Sequence, residues 1–402
     1  MSKKIKSCTP PLRFPEFDQA KEWSMFAFKD ICSFFKGKGI SKNDISSNGK
    51  IPCIRYGELY THYKEVINHI ISFTNCNIDE LIFSKKNDIL IPSSGETKND
   101  IATSSCITLN NIAIGSDLHI LRTKQNGIFF SYYINHKIRK KISMIAQGDA
   151  IVHLYAEQLK NIEAYFPSLP EQQKIADCLS SLDELIEAHE QKLDTLKQHK
   201  KGLMQRLFPA EGETMPRWRF PEFRNAGEWE EDEIGNIFNV TRGQVLAMTE
   251  VQTKQTETYI YPVYSSQTKN NGLAGFYSKY LYEDAITWTT DGANAGEVNF
   301  RKGKFYCTNV CGVLLNNNGY ANKCISELIN SVSKKYVSYV GNPKLMNNVM
   351  EKIKIPIPSL PEQQKIADCL TSIDERIEAQ EEKIVALKEH KKGLMQQLFP
   401  SL

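Results

Sequence analysis

The chain has 402 residues, of which 41% are hydrophobic and 24% are charged, so it is long enough for two or three globular domains. Its formal net charge of +3 is too small to indicate a polyanion partner by itself, so any nucleic-acid surface has to come from local clusters. No apolar run could span a bilayer, and the N-terminal MSKKIKSCTPPLRF lacks the apolar centre of a signal peptide. We therefore expect a cytoplasmic protein.

The ten cysteines are scattered and form no C-x-x-C pair. Cys307 and Cys311 could be half of a metal site, but no matching Cys or His pair stands near them in the sequence. Buried free thiols are the favoured interpretation.

The first repeated element is an R-F-P-E-F motif. It occupies residues 13–17 and is followed by Ala20 and Trp23, and it returns at residues 219–223, followed by Ala226 and Trp229. The chain is therefore two copies of one plan, each with this motif, a globular stretch and a long helix.

The two globular stretches, residues 20–167 and 226–358, are of ordinary domain size and differ almost completely in sequence. Both are predicted to mix strands and helices. Predicted strands are residues 51–55, 88–91, 112–114 and 118–121 in the first stretch and 258–264, 284–288 and 312–315 in the second; predicted helices are 129–145 and 325–340. A few weak sequence matches remain between the two stretches. Residues 31–37 match 237–243 at one constant difference in residue number, and Leu154, Leu159 and Ile162 match Leu345, Met350 and Ile353 at another.

The strongest repeat is residues 168–209, which return as 359–400 with 32 of 42 positions identical. Apolar residues step by three and four in both copies, a spacing typical of a helix that supercoils against another helix. The predicted seam consists of Ile175, Leu179, Leu182, Ile186, His189, Leu193, Leu196, Leu203 and Leu207 in the first copy and Ile366, Leu370, Ile373, Ile377, Gln380, Ile384, Leu387, Leu394 and Leu398 in the second, with Lys200 and Lys391 at two further seam positions.

Each repeated helix has start and stop signals. Ser168 and Glu171, like Ser359 and Glu362, match an S-x-x-E capping box, and a Phe-Pro pair ends each copy. A helix of about 39 residues is roughly 58 Å long at ~1.5 Å per residue. We predict that the two copies pair antiparallel, with His189 opposite Gln380 near the middle and Lys200 and Lys391 reaching water toward the ends. The alternative is that each helix packs on its own neighbouring domain.

Polar and basic loops with interspersed aromatic residues are the candidate DNA contacts, because Lys and Arg neutralise phosphates while Arg, Gln and Ser can contact base edges. Each residue alone is more often an ordinary surface residue. The candidates are Lys36, Lys38, Ser41, Lys42, Arg55, Tyr56, Lys85, Lys86, Ser93, Ser94 and Lys98 in the first half and Arg242, Gln244, Tyr264, Ser265, Ser266, Lys269, Arg301, Lys302 and Lys304 in the second.

Signals for catalysis are weak. Residues 35–39 have the F-x-G-x-G form of a nucleotide loop, but neither a βαβ pattern nor an adenine-methylation motif accompanies them. Asp88, Glu96 and Lys98 could form a metal-dependent nuclease site, although the second half has no matching lysine. The eight histidines form no ligand spacing. We expect no catalytic, cofactor-binding or metal-binding residue in this chain.

The repeated S-L-P-E-Q-Q-K-I-A at residues 168–176 and 359–367, followed by heptads and preceded by R-F-P-E-F motifs, closely resembles the DNA specificity (S) subunits of type I restriction-modification enzymes. The resemblance covers the whole chain. It implies an α+β fold of two mixed α/β target-recognition domains joined by two long helices that form an antiparallel coiled coil. The implied domains are residues 1–167 and 210–358 for recognition and 168–209 and 359–402 for the coiled coil.

The resemblance further implies a non-catalytic subunit, each of whose domains recognises one half of a bipartite, asymmetric DNA target. Expected partners are double-stranded DNA, two modification subunits that use S-adenosylmethionine to methylate adenine, and restriction subunits that use ATP and magnesium. A scaffold whose domains bind protein is the alternative outside DNA recognition. The outward helix face, with Glu171, Gln172, Lys192, Lys197 and Lys201, is either a docking surface for modification subunits or an ordinary solvated face.

Overall fold

A computed structural model describes residues 7–148, 151–266 and 270–400. The chain divides into two compact units. The first unit comprises Met1–Glu190 with Lys383–Leu402, and the second comprises Gln191–Glu382. Each unit therefore contains one globular region, the first half of the long helix that follows it, and the last part of the other long helix. In the described ranges, no helix is both long enough and apolar enough to cross a membrane.

In its described residues, the first half of the chain, up to residue 209, has thirteen short strands and seven α-helices. The strands are β1 (Ser7–Cys8), β2 (Trp23–Ala27), β3 (Cys32–Lys36), β4 (Ile51–Ile54), β5 (Val66–Ile67), β6 (Ser72–Thr74), β7 (Asp88–Pro92), β8 (Ser94–Gly95), β9 (Ser105–Ile107), β10 (Ala113–Ile114), β11 (Leu118–Thr123), β12 (Val152–His153) and β13 (Glu163–Phe166). The helices are α1 (Phe28–Ile31), α2 (Glu58–Thr61), α3 (Lys98–Ile101), α4 (Gly127–Tyr133), α5 (Arg139–Ile145), α6 (Ala156–Lys160) and α7 (Leu169–Leu207).

A five-stranded sheet in the order β3-β11-β7-β9-β5 is the largest sheet of the first unit. Its middle strand, β7, is buried at all five residues, as its apolar run Ile-Leu-Ile-Pro requires. Helix α4 packs against this sheet through Phe129 and Phe130, and a π-helical turn at Ile134–Ile138 separates it from α5. The helix predicted at 129–145 is therefore present but interrupted.

Over residues 210–266 and 270–400, the second half has eight strands and four α-helices. The strands are β14 (Glu230–Glu233), β15 (Asn239–Arg242), β16 (Tyr261–Tyr264), β17 (Leu273–Tyr277), β18 (Tyr282–Thr289), β19 (Val298–Cys307), β20 (Cys311–Leu315) and β21 (Lys354–Ile357), and the helices are α8 (Ile234–Ile237), α9 (Lys323–Ser333), α10 (Asn347–Met350) and α11 (Leu360–Leu398). Six strands form one sheet in the order β15-β20-β18-β19-β16-β17, and β14 pairs with β21. The helix predicted at 325–340 ends earlier, because the chain turns back on itself between Ser338 and Lys344.

The two long helices, α7 and α11, each have 39 residues and end at the leucine before a Phe-Pro pair, as predicted. In each unit, ion pairs between the two helices show their relative direction. In the first unit Lys391 of α11 contacts Asp183 of α7, and Lys388 contacts Glu190. Residue numbers rise along one helix as they fall along the other, so the paired segments run antiparallel.

The second unit repeats this arrangement. Lys200 of α7 contacts Asp374 of α11 at 2.7 Å, and Lys197 contacts Glu381 at 2.6 Å. These are the same four repeat positions, with the roles of the two helices exchanged. His189 lies in the first unit and Gln380 in the second, and their pairing stays a prediction.

The predicted seam positions are all buried or partly buried. The buried ones are Ile175, Leu179, Ile186, Leu196, Leu207, Ile366, Leu370, Ile373, Gln380, Ile384 and Leu398, and the partly buried ones are Leu182, His189, Leu193, Leu203, Ile377, Leu387 and Leu394.

Lys200 and Lys391 were predicted to reach into water, and this prediction was wrong. Their side chains are 21% and 14% exposed, and each ammonium contacts an aspartate of the other long helix. Lys391 also lies 5.0 Å from the centre of the Tyr132 ring, and Lys200 also contacts Glu327 of the second globular region. These lysines therefore join the helix pair to its globular region.

The ends of the long helices belong to the cores of the globular regions. Leu398 and Phe399 join the core of the first unit together with Ile175 and Leu179 from the start of α7. Leu207 and Phe208 join the corresponding core of the second unit, with Ile366 and Leu370. Packing on the globular region and packing between helices, which the sequence posed as alternatives, therefore both occur.

The two long helices begin directly after Ser168 and Ser359, as predicted, but two residues of the first turn of α7 are not where the sequence placed them. Glu171 and Gln172 are 1% and 0% exposed, so their placement on the outward helix face was wrong. The Glu171 carboxylate accepts hydrogen bonds from Arg13 and Trp23 instead of capping the helix, and Glu362 does the same with Arg219 and Trp229.

Candidate nucleic-acid interface

Three neighbouring strands of the first unit end or begin at one edge of the five-stranded sheet. Lys36, the last residue of β3, pairs with His119 of β11, and His119 pairs on its other side with Ile91 of β7. The chain leaves β3 and β7 and enters β11 here. Loops from three separate parts of the sequence therefore meet at this edge.

Backbone hydrogen bonds hold these loops together. The Gly37 amide donates to Leu118 O and the Lys38 amide to Ile114 O, each at 2.9 Å. The Gly115 amide donates to Ile54 O, which brings Arg55 to the same place. A Cβ atom at Gly37 would lie 2.0 Å from Gly115 O, so this close approach explains the glycine of the F-x-G-x-G sequence without a nucleotide.

Two predicted serines complete this group. The Ser93 amide donates to Asp117 O, and the Ser94 hydroxyl donates to Asp117 Oδ1 at 3.3 Å and lies 3.4 Å from His153 Nδ1. Ser93 is buried, whereas Lys36 and Lys38 are exposed. We call this group the first edge, consisting of Lys36–Lys38, Arg55, Ser93–Ser94, residues 115–117 and His153.

Other candidates of the first half lie elsewhere. Lys85 and Lys86 precede β7 and Ser93 follows it, which separates them by five strand residues or roughly 17 Å. Lys98 begins α3, and Ser41 and Lys42 belong to a capped turn before β4. Tyr56 is the exception, because it directly follows Arg55 of the first edge; it is half-buried, with its ring 6.3 Å from that of Tyr60.

The second unit builds a corresponding edge from β15, β20 and β18. Arg242, the last residue of β15, pairs with Gly312 of β20, and Cys311 pairs with Thr289 at the end of β18. The Gly243 amide donates to Cys311 O, and the Gln244 amide donates to Cys307 O. Arg242 and Gln244 thus occupy the positions that Lys36 and Lys38 occupy in the first edge.

The turn before β20 gathers the remaining residues of this edge. The Thr308 amide donates to Tyr264 O at 2.9 Å, and its hydroxyl donates to Ser265 Oγ at 2.9 Å. Ser266 follows and is half-buried, while Lys269 lies outside the described residues. We call this group the second edge, consisting of Arg242–Gln244, Tyr264–Ser266, Thr290–Asp291 and residues 308–310.

Arg301 is an internal residue. It is 9% exposed, and its guanidinium donates to Thr287 Oγ1 at 3.1 Å and to Asn271 O at 2.7 Å. The guanidinium carbon lies 3.8 Å from the centre of the Tyr264 ring, and burial lowers the pKa of Arg301. Its contact with the ring helps to hold Tyr264 in place within the second edge. Lys302 and Lys304 are exposed on the same strand.

The nuclease alternative has no supporting geometry. The Asp88 carboxylate is bound by Arg122 at 2.7 and 2.8 Å and begins β7, whereas Glu96 and Lys98 follow the far end of that strand. Among the residues with described positions, no group of His, Cys, Asp and Glu is arranged to hold a metal ion. Cys307 and Cys311 are free thiols in the core, and burial raises the pKa of Cys311 to about 11.

Sequence reasoning missed a buried cluster that recurs in both units. The Arg13 guanidinium donates through Nε and Nη2 to the two oxygens of Glu171, and the Trp23 indole donates to Oε1 at 3.1 Å. The hydrogen bond to Glu171 raises the pKa of Arg13. The signal was present in the sequence, because Arg13, Trp23 and Glu171 all lie in the repeated segments.

A sequence profile of the type I restriction modification DNA specificity domain matches residues 20–198 and 226–389, which is most of the chain. The chain belongs to the type I restriction-modification DNA specificity family. The identification made from the repeated motifs is therefore confirmed, and so is the predicted role of a specificity subunit instead of an enzyme.

Relatives of this specificity subunit occur in Mycoplasma pneumoniae. A putative type I specificity subunit N-terminus is 38% identical over 140 residues, which is 34% of this chain and 73% of that protein. Another putative type I specificity subunit is 29% identical over 229 residues, or 56% of this chain and 80% of the other. The specificity subunit of a type I restriction enzyme is 34% identical over 145 residues, covering 35% of this chain and 43% of the relative.

Solved structures show the same fold. The crystal structure of a type I restriction-modification S subunit from M. genitalium matches 98% of this chain and 100% of its own, with a TM-score of 0.73 and 19% identity. A chain from a study of complex assembly in a type I system matches 94% of this chain and 97% of its own, with a TM-score of 0.52 and 14% identity. The predicted α+β fold class, with two recognition domains and long coiled-coil helices, is confirmed.

Proposed function

We propose that this specificity subunit recognises a bipartite, asymmetric DNA target, with one half-site read at the first edge and the other at the second. The observation that carries this proposal is that the two edges have the same backbone arrangement but different side chains at corresponding positions. Gly37 and Gly243 make the same close backbone approach, yet Lys36 and Lys38 flank the first glycine while Arg242 and Gln244 flank the second. Lysine is a point charge suited to phosphate, whereas Arg and Gln can also form bidentate contacts with bases.

The coiled coil and the partners follow from the same proposal. The pair α7 and α11 holds the half-sites at a set spacing, and a helix of roughly 58 Å corresponds to at most about 17 base pairs. Two modification subunits that use S-adenosylmethionine methylate adenine, and restriction subunits use ATP and magnesium. The exposed faces around Lys192, Lys197 and Lys201 are the docking surface for modification subunits. The complex acts on cytoplasmic DNA.

The domain boundaries are part of the proposal. Residues 1–167 and 210–358 form the recognition domains, and residues 168–209 and 359–402 form the conserved helices. The remaining candidate contacts, including Lys85, Lys86, Lys302 and Lys304, serve the phosphate backbone around the half-sites.

Exchange of residues 20–167 for the corresponding domain of another specificity subunit is expected to change one half-site and leave the other unchanged. The reason is that each edge is built within one unit. The measurement is mapping of methylated adenines in a genome that carries the chimaera and its modification subunits. Loss of methylation at every site in a folded, assembled complex, or a change in both half-sites, would contradict independent reading.

Insertion of one heptad into each long helix, between residues 186 and 193 and between 377 and 384, is expected to lengthen the spacer by about three base pairs without changing either half-site. The structure makes both insertions necessary, because each helix carries ion pairs to the other in both units. Methylome mapping gives the spacer directly. An unchanged spacer would show that the helix pair does not set the separation.

A further inference from the structure

A short hairpin borders the second edge. The Ser338 amide donates to Lys344 O at 2.8 Å and the Lys344 amide donates back to Ser338 O at 2.9 Å, which closes a five-residue tip, Tyr-Val-Gly-Asn-Pro. Two tip side chains are among the most exposed apolar groups described, Tyr339 at 71% and Val340 at 92%. Gly341, with a φ of 77°, supplies the left-handed residue of the turn.

The first unit has a matching backbone pair at the corresponding positions. Gln147 and His153 exchange two backbone hydrogen bonds, at 2.9 and 2.7 Å, and they also enclose five residues. Their distance along the chain from Ser338 and Lys344 is the offset that relates the two long helices. The tip sequence, however, is Gly-Asp-Ala-Ile-Val. The two segments therefore share the backbone pairing and differ in sequence at all five enclosed positions.

Hydrogen bonds fix the second hairpin beside the second edge. The Gly292 amide donates to Pro343 O at 2.9 Å, and the Leu345 amide donates to Thr290 O. Thr290 in turn donates to Val310 O in the turn before β20. The Trp288 indole also donates to Leu345 O, just as His119 Nε2 lies 2.7 Å from Leu154 O in the first unit. The tip is therefore held in place next to the loops proposed to meet DNA.

The hairpin segment itself carries only positive charge, since residues 334–344 contain three lysines and no carboxylate. Two of these lysines also contact carboxylates outside the segment, Lys344 with Asp291 at 3.7 Å and Lys335 with Glu211 at 2.6 Å, but both side chains stay about half exposed. Exposed apolar residues placed together are unfavourable in water and mark interaction sites. An apolar tip flanked by cations is the combination with which proteins insert a side chain between base pairs while holding the phosphates on either side.

We propose that this hairpin inserts Tyr339, supported by Val340, into the base stack of the half-site read by the second unit. The inference rests on the proposed function and deepens it. The target then depends partly on how easily one base step unstacks, which is a form of sequence selection that needs no base hydrogen bond.

The test uses the full chain assembled with its modification subunits, on duplexes carrying 2-aminopurine at successive half-site positions. The methylated adenine position is left unlabelled, because extrusion of that base would itself raise the fluorescence. We expect a fluorescence increase at one step of the second half-site. The double variant Tyr339→Ser, Val340→Ser should abolish it and weaken binding at least fivefold. Tyr339→Phe, which keeps the ring and loses the hydroxyl, should retain both signal and affinity.

Each other outcome is informative. If the wild-type complex binds selectively but shows no unstacked step, or if the double variant behaves as wild type, insertion is wrong and the DNA-reading proposal stands. If the variant fails to assemble with modification subunits although it unfolds at the wild-type temperature, the tip is a protein-docking surface and insertion is wrong. If the wild-type complex binds no DNA selectively, the proposed function itself fails. As a second measurement, replacing residues 339–343 by Gly-Asp-Ala-Ile-Val should alter only the second half-site in the methylome.

Discussion

The substitution Glu362→Ala is expected to lower the free energy of unfolding of the second unit by about 3–5 kcal/mol. Glu362 is 1% exposed, and its carboxylate accepts hydrogen bonds from the Arg219 guanidinium and the Trp229 indole. Alanine would leave a buried cation without its counter-charge and an indole N–H without an acceptor. Urea unfolding gives the total change, and hydrogen exchange in peptides of residues 219–240 and 360–370 shows that the loss is in this unit.

Two controls make this prediction specific. Glu222 pairs with Lys365 in the same unit, but both side chains are about half exposed, so Glu222→Ala should leave stability unchanged. The double variant Arg219→Met, Glu362→Leu should be more stable than Glu362→Ala alone, because it removes both charges together. Equal effects of Glu362→Ala and Glu222→Ala would show that the buried cluster is not what holds the R-F-P-E-F motif against the helix.

The sequence predicted the parts of the fold that depend on local patterns. The spacing of three and four between apolar residues predicted α7 and α11, because the buried face of a long helix requires apolar residues at that spacing in the sequence. The Phe-Pro pairs predicted where both helices end. Strands such as β7 and β11 were found because their apolar runs are short and bounded by turn residues.

Long-range pairings could not be derived in this way. Glu171 lies 158 residues from Arg13, and Asp183 lies 208 residues from Lys391, so no local pattern links them. A lysine at a seam position was expected to extend into water, yet the partner aspartate, repeated as Asp374, was visible beside the seam in both copies. Matching charges at repeated positions are thus a usable signal for antiparallel pairing.

The candidate edges were only partly predictable for a related reason. Lys36, Lys38 and Ser94 come from different strands, and only the sheet order brings them together. Lys85 and Lys86 look equivalent in sequence but lie at the other end of β7. The two hairpins escaped notice because their frames are made by backbone hydrogen bonds, which place no demand on side-chain type.

The last residues of the chain are expected to stabilise the first globular region, although the region begins about 380 positions earlier. Phe399 is fully buried, its ring stacks on Tyr133 at 5.2 Å, and it meets the rings of Trp23 and Phe129 at 6.4 and 5.6 Å. Phe399→Ala should therefore cost about 3–5 kcal/mol of unfolding free energy, from lost burial and the cavity left behind. Urea unfolding measures this loss of stability, and faster amide hydrogen exchange in residues 127–145 would show that the loss is in the first unit.

Variants in the same helix and at the repeated position separate this role from a general effect of α11. The variant Val385→Ala is the control for effects on α11 itself, because Val385 lies in the same helix and is 55% exposed. It should leave the free energy of unfolding nearly unchanged. Phe399→Leu, which refills much of the space, should cost well under half as much as Phe399→Ala. Phe208→Ala should cause a similar loss of unfolding free energy in the second unit, where Phe208 joins the core.

Deletion of residues 399–402 should impair recognition of the first half-site more than recognition of the second, because terminal residues are dispensable only where they are not buried. A truncated chain that keeps full stability and reads both half-sites would show that the two ends of the protein do not form one core.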